Sequence, residues 1–146
     1  MPSTYFDASA VVKLVLDEPG SAAVRDLWRQ SDRRFAGTLT HVEACAAVAA
    51  AHRNHQLDAE LTDAILVELA ELRRDVREVT LGSDVATIAA ELARTHGLRG
   101  ADACHLSSAL ALRDPDLIVA TWDRRLHAAA QAVGLRVAPP ALAAGA

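Results

Sequence analysis

Apolar residues along the chain follow two alternating patterns. Short apolar runs end abruptly at Asp, Thr or Gly. Longer stretches carry apolar residues at helical spacing. Thr4–Phe6 reads as a first strand. Asp7 or Ser9 then caps a helix running to about Leu16, which stops before Pro19-Gly20. A helix over Ser21–Gln30 follows, then a short strand at Phe35–Leu39. Thr40 caps a helix through about His52. Leu61, Ile65, Leu69 and Leu72 share one face and predict an amphipathic helix over Ala59–Arg74. Val76–Leu81 alternates like a strand. Ser83 or Asp84 caps a helix carrying Val85, Ile88 and Leu92 and ending at Gly97. Ala101–Leu112 reads as a helix closed by the turn Asp114-Pro115-Asp116. Leu117–Thr121 is a continuous apolar run of the kind buried on both faces of a parallel sheet. A helix over Asp123–Val133, a stop at Gly134 and a strand at Leu135–Ala138 complete the pattern. Alternation of short strands and helices predicts an α/β fold, a three-layer α/β/α sandwich around a short, mostly parallel sheet.

Composition narrows this picture. At 146 residues the chain suits one domain, here residues 1–138 with a loosely held tail over 139–146. A domain of this length buries roughly 68–70% of its unfolded surface and needs no disulfide or metal for stability. Hydrophobic residues make up 51% and aromatics 3%, and Ala occupies 32 positions. The core is therefore aliphatic and helix-rich. A net charge of −4 excludes a generally basic nucleic-acid coat, so a nucleic-acid substrate needs a local Arg patch. The longest apolar run, Ala44 to Ala51, falls short of the ~20 residues that cross a bilayer. No basic segment precedes an apolar stretch at the N-terminus. Cys45 and Cys104 form no CxxC pair. A cytoplasmic protein with two reduced, buried thiols is expected.

In folds of this class ligands gather beyond the carboxyl ends of the strands. Asp7 follows the first strand directly, and Asp123 follows Leu117–Thr121 almost directly. Asp102 falls in the first turn of its helix, and Glu43 in the first turn of the helix that Thr40 caps. Each acid alone reads equally as a helix cap or first-turn charge. Converging on one pocket, four carboxylates repel and need a divalent cation. All-oxygen ligation suits Mg²⁺ or Mn²⁺, which activates a water for in-line phosphoryl hydrolysis.

Four segments occur in order: Tyr5-Phe6-Asp7-Ala8-Ser9-Ala10-Val11-Val12-Lys13, Thr40-His41-Val42-Glu43, Leu98-Arg99-Gly100-Ala101-Asp102-Ala103-Cys104-His105-Leu106, and Thr121-Trp122-Asp123-Arg124-Arg125-Leu126. Together they resemble the PIN-domain family, most closely the VapC-type ribonuclease toxins of toxin–antitoxin pairs. The resemblance runs from about residue 4 to residue 138. It places the family's four acids on Asp7, Glu43, Asp102 and Asp123. It implies Mg²⁺- or Mn²⁺-dependent cleavage of RNA, a small antitoxin that blocks the acidic pocket, and a homodimer with contacts on apolar helix faces such as that of Ala59–Arg74.

Around these acids, Ser9 matches a family hydroxyl near the metal but equally reads as a cap. Thr121 reads either as a hydroxyl that hydrogen-bonds Asp7 or Asp123 or as a β-branched strand residue. His105, one turn after Asp102, reads as a core histidine making one hydrogen bond rather than as a general base. A zinc site from Cys45, Cys104, His41 and His105 matches no known spacing. Arg99, Arg124 and Arg125 flank the acids and are candidates for RNA phosphate contacts; Arg33-Arg34 and Arg73-Arg74 are the other pairs. Trp122 is the one aromatic beside the expected site. Two other readings remain. One is a non-cleaving acidic module that binds RNA or a basic protein. The other is an aspartyl-phosphate phosphatase with Asp7 as nucleophile, which wants a second Asp where Ser9 stands.

Overall fold

The strand β1, Ser3–Phe6, is buried at every position, which requires helices on both faces of its sheet. The computed structural model describes residues 2–143, and in them five strands and seven helices alternate. After β1 come α1 (Ala8–Val15), α2 (Ser21–Gln30), β2 (Arg33–Gly37), α3 (Thr38–Arg53), α4 (Ala59–Arg74), β3 (Arg77–Val79), α5 (Ser83–His96), α6 (Gly100–Ala111), β4 (Ile118–Ala120), α7 (Arg124–Ala132) and β5 (Arg136–Ala138). The sheet order is β3-β2-β1-β4-β5, and every pairing is parallel. β1 and β4 are neighbours, with Phe6 opposite Ala120. Both therefore end at the same sheet edge.

Side-chain alternation divides the core in two. Tyr5 and Val119 point into one apolar cluster with Ala89, Leu106 and Leu126 of α5, α6 and α7. Phe6 and Ala120 point into the other, with Val11, Val24, Val48 and Leu69 of α1 to α4. The result is the expected three-layer sandwich. In α4, Ile65 and Leu69 form the buried stripe and α4 runs over the expected residues.

Several boundaries differ from the sequence reading. Leu39 belongs to α3, because β2 starts and ends two residues earlier than expected. Thr40 does not cap α3. Gly37 is the cap, and the Thr40 hydroxyl accepts the Gly37 N–H at 3.0 Å from inside the first turn. Glu43 consequently lies in the second turn, not the first. Likewise Gly82 precedes α5, which begins at Ser83. A Ser or Thr near a helix start is a capping signal that leaves the register open by one to three residues. At the C-terminal side, Thr121 N–H extends the β4–β5 ladder to Ala138 O at 3.0 Å. His127 Nε2 donates to Pro139 O at 2.7 Å, holding the start of the tail against α7. The end of the tail, residues 144–146, lies outside the described residues.

Candidate active site

Asp7 stands where β1 becomes α1. Its N–H donates to Ala120 O at 3.2 Å, continuing the pairing with β4. Its side chain, only 3% exposed, caps α1 by accepting the Ala10 N–H on Oδ1 at 2.9 Å. Ser9 Oγ donates to the same oxygen at 2.7 Å, and Thr121 Oγ1 donates to Oδ2. A carboxylate oxygen has two lone pairs. Oδ1 is therefore filled, and Oδ2 keeps one direction open. Burial pushes the Asp7 pKa up; the charge of His105 and these hydrogen bonds pull against it.

Asp123 occupies the matching corner, where β4 gives way to α7. It caps α7 through Leu126 N–H to Oδ1 at 2.9 Å and is half-buried. Two hydroxyls stitch the corners together. Thr121 Oγ1, besides donating to Asp7, accepts the Asp123 N–H at 3.1 Å. Ser9 Oγ accepts the Trp122 N–H at 2.9 Å. Thr121 thus makes the hydrogen bond to Asp7 that the sequence offered, and Asp7 rather than Ser9 caps α1.

Asp102 lies in the first turn of α6, half-buried. Burial, and then the charge of Asp123, raise its pKa; His105 and Arg99 lower it, and Asp7 adds to the rise. Three of the four acids are thus close enough to repel. Glu43 comes from α3 and bonds His105, Oε1 to Nε2 at 2.5 Å. His105 is 3% exposed and also meets the Tyr5 hydroxyl, 2.8 Å from Nδ1. Burial alone lowers the His105 pKa. The Glu43 hydrogen bond and the charges of Asp7, Glu43 and Asp102 outweigh it, and the net shift is upward. His105 therefore makes two hydrogen bonds, not the expected one. Tyr5 was missed altogether. The available signal was its place two residues before Asp7, which puts it one strand step from the same sheet edge.

Among the described residues no three His, Cys, Asp or Glu side chains form a group that could hold a metal ion in this arrangement. The donor chemistry nonetheless suits a hard cation: every candidate ligand is a carboxylate, Asp7 Oδ2 has a lone pair open, and Asp102, Asp123 and Asp7 repel. Cys45 and His41 touch, Sγ to Nε2 at 3.5 Å, but His105 is engaged with Tyr5 and Glu43. Both thiols are free and half-buried rather than buried. The candidate arginines divide similarly. Arg33 pairs with Asp114 and Arg73 with Glu78, each at 3.3 Å, and Arg34 lies over the Trp28 ring. Arg99, Arg124 and Arg125 are exposed beside the acids, with Arg124 donating to Ala143 O.

The PIN domain model matches residues 4–132, which span all four acids. The chain belongs to the PIN-domain family. Within it the chain is VapC-type: Ribonuclease VapC49 of Mycobacterium tuberculosis is 50% identical, with 97% of this chain and 99% of that protein covered. Two solved structures share the PIN fold. A toxin–antitoxin complex from Klebsiella pneumoniae has a TM-score of 0.67 at 18% identity, covering 97% of this chain and 100% of that one. VapC20 of Mycobacterium tuberculosis, a Sarcin-Ricin loop cleaving toxin, has a TM-score of 0.67 at 16% identity, covering 87% and 95%.

Proposed function

We propose that this VapC-type PIN protein is a Mg²⁺-dependent endoribonuclease, with Mn²⁺ as a substitute, acting as the toxin of a toxin–antitoxin pair in the cytoplasm. The observation that carries this reading is the buried Asp7 carboxylate, held with one lone pair open, together with Asp102, which both Asp123 and Asp7 repel. The ribonuclease name of a relative 50% identical over nearly the whole chain supports the reaction class. Asp7, Asp102 and Asp123 would hold the ion, and Glu43 would complete the set or orient the attacking water. When bound, the divalent ion supplies Lewis acidity that lowers the pKa of water and offsets charge on a phosphoryl oxygen. Ser9 and Thr121 keep the Asp7 carboxylate from turning, so the site needs little reorganisation on loading. Arg99, Arg124 and Arg125 offer guanidinium groups to the RNA phosphates.

A phosphatase using Asp7 as nucleophile fits less well, because Ser9 fills the second acid's place and donates to Asp7 Oδ1. An antitoxin would place an Arg or Lys among the acids. The apolar groove lined by Val11, Trp28, Leu69, Leu72 and Val76 offers a seat for an adjoining segment of it. The antitoxin in the Klebsiella pneumoniae structure supports such a partner. A homodimer would use exposed apolar residues such as Val67 on α4, 60% exposed; light scattering that gives a monomer at micromolar concentration refutes it. The test of the reaction is cleavage of a structured RNA with Mg²⁺, Mn²⁺, Ca²⁺ and EDTA. Cleavage is expected with the first two, weakly with Ca²⁺, and not in EDTA. Equal cleavage in EDTA refutes the metal mechanism; binding without cleavage in every buffer favours the acidic module.

A further inference from the structure

Three elements meet in a chain of hydrogen bonds that the proposed reaction does not by itself require. Tyr5 of β1 lies edge-on to the His105 ring of α6, with ring centroids 5.9 Å apart. Its hydroxyl is 2.8 Å from Nδ1, and Nε2 is 2.5 Å from Glu43 Oε1 on α3. Room for the phenol depends on Gly37, where a Cβ would fall 2.5 Å from the Tyr5 oxygen. An ionised carboxylate can only accept, so Nε2 must carry the hydrogen. The other ring nitrogen meets the Tyr5 hydroxyl, which fixes the plane of the ring. Glu43 has a long, flexible side chain on a half-exposed helix position, and this bond restrains it against His105, which the charges of Asp7 and Asp102 also reach.

We propose that His105 is a positioning residue: oriented by the Tyr5 hydroxyl, it presents its Nε2–H to Glu43 and fixes that carboxylate for the metal site. The inference rests on the reading of Glu43 as part of that site. Loss of a ligand-orienting partner typically weakens metal binding roughly 10–100-fold. Calorimetric titration with Mn²⁺ is therefore expected to show His105→Leu weakened by about that factor. His105→Gln, whose amide can reach Glu43, is expected to recover most of the affinity. In a Glu43→Ala background, which removes the acceptor, His105→Leu should cause no further loss, because His105 acts only through Glu43. A folded His105→Leu variant that binds Mn²⁺ like wild type overturns the inference, as does an equal loss in both backgrounds. Should His105→Leu fail to fold, Tyr5→Phe is measured in the same two backgrounds, with a several-fold loss expected only where Glu43 is intact. Metal-free NMR separates this inference from the nuclease reading. The His105 Nε2–H resonance should be protected in wild type and lost in Glu43→Ala, which removes the acceptor. If wild type binds no Mn²⁺, the metal reading fails and this resonance alone decides the pairing; its persistence in Glu43→Ala refutes it.

Discussion

The β1–α1 and β4–α7 corners have the same plan: a parallel strand, an Asp at the helix cap, then a helix. They differ in what surrounds the acid. Asp7 is buried beneath both helical layers and accepts from a backbone N–H and two hydroxyls. Asp123 is half-buried and accepts the cap bond from Leu126. One position holds a charge against the cost of burial, and the other holds a helix end. A buried carboxylate with an upward-shifted pKa is an arrangement that stability alone would not favour. An exposed-side Asp cap is ordinary. On the proposed reading the difference makes Asp7 the centre of the chemistry, and it makes the contribution of Asp123 separable into capping and function.

The largest effect is expected at Asp7. Asp7→Asn should abolish RNA cleavage while melting no lower than wild type in EDTA, since the neutral amide escapes the burial cost. Mg²⁺ at a hundredfold excess over its dissociation constant should stabilise wild type by ~2.7 kcal/mol, and the variant much less. Identical metal responses from the two proteins would show that Asp7 is a cap like Asp123.

The same contrast has a pH signature. The Asp7 carboxyl has a folded pKa above its unfolded value. It contributes stability that is full below the unfolded pKa and lost as pH rises through the folded one. Metal-free wild type should therefore gain stability as pH falls from neutral through that raised value, and Asp7→Asn should show a flatter profile in the same series of melts. Asp102 shifts in the same direction and should leave a smaller residual slope.

Asp123 is expected to split into two effects. Asp123→Ala should lose cleavage and about 1 kcal/mol of stability, whereas Asp123→Ser should recover the cap but not the activity. Equal melting of the two variants would remove the capping half of the comparison. Thr121→Val tests the stitch between corners. Without the hydroxyl, Asp7 Oδ2 and the Asp123 N–H each lose a partner, at a cost of about 1–3 kcal/mol, with cleavage reduced rather than abolished. The smallest effects belong to the rim: Arg99→Ala and Arg125→Ala should each lower the salt slope of RNA binding by about one and leave melting unchanged.

The order of strands and helices was legible because periodicity and punctuation report local backbone preference directly. Asp7 at the end of an apolar run, Asp123 before another amphipathic stretch and the Ala59–Arg74 stripe are all local patterns, and each lies where those patterns put it. The resemblance carried by four ordered segments pointed to the family, to which the chain belongs, and singled out the four acids as candidates. Local patterns were weaker at the start of α3, where Thr40 in the first turn imitates a cap and displaced Glu43 by a turn. They were silent on pairing across the chain. Whether Thr121 bonds Asp7, 114 residues away, and whether His105 bonds Tyr5 and Glu43, depends on strand order and helix packing. Those long-range contacts exist because β1 and β4 lie side by side and Glu43 of α3 reaches His105 of α6, although the two helices pack on opposite faces of the sheet. Sequence alone determined which acids and which elements; tertiary structure decided which acid is buried, which is a cap, and which is held by a histidine, because burial and hydrogen-bond partners are set by neighbours distant in the chain.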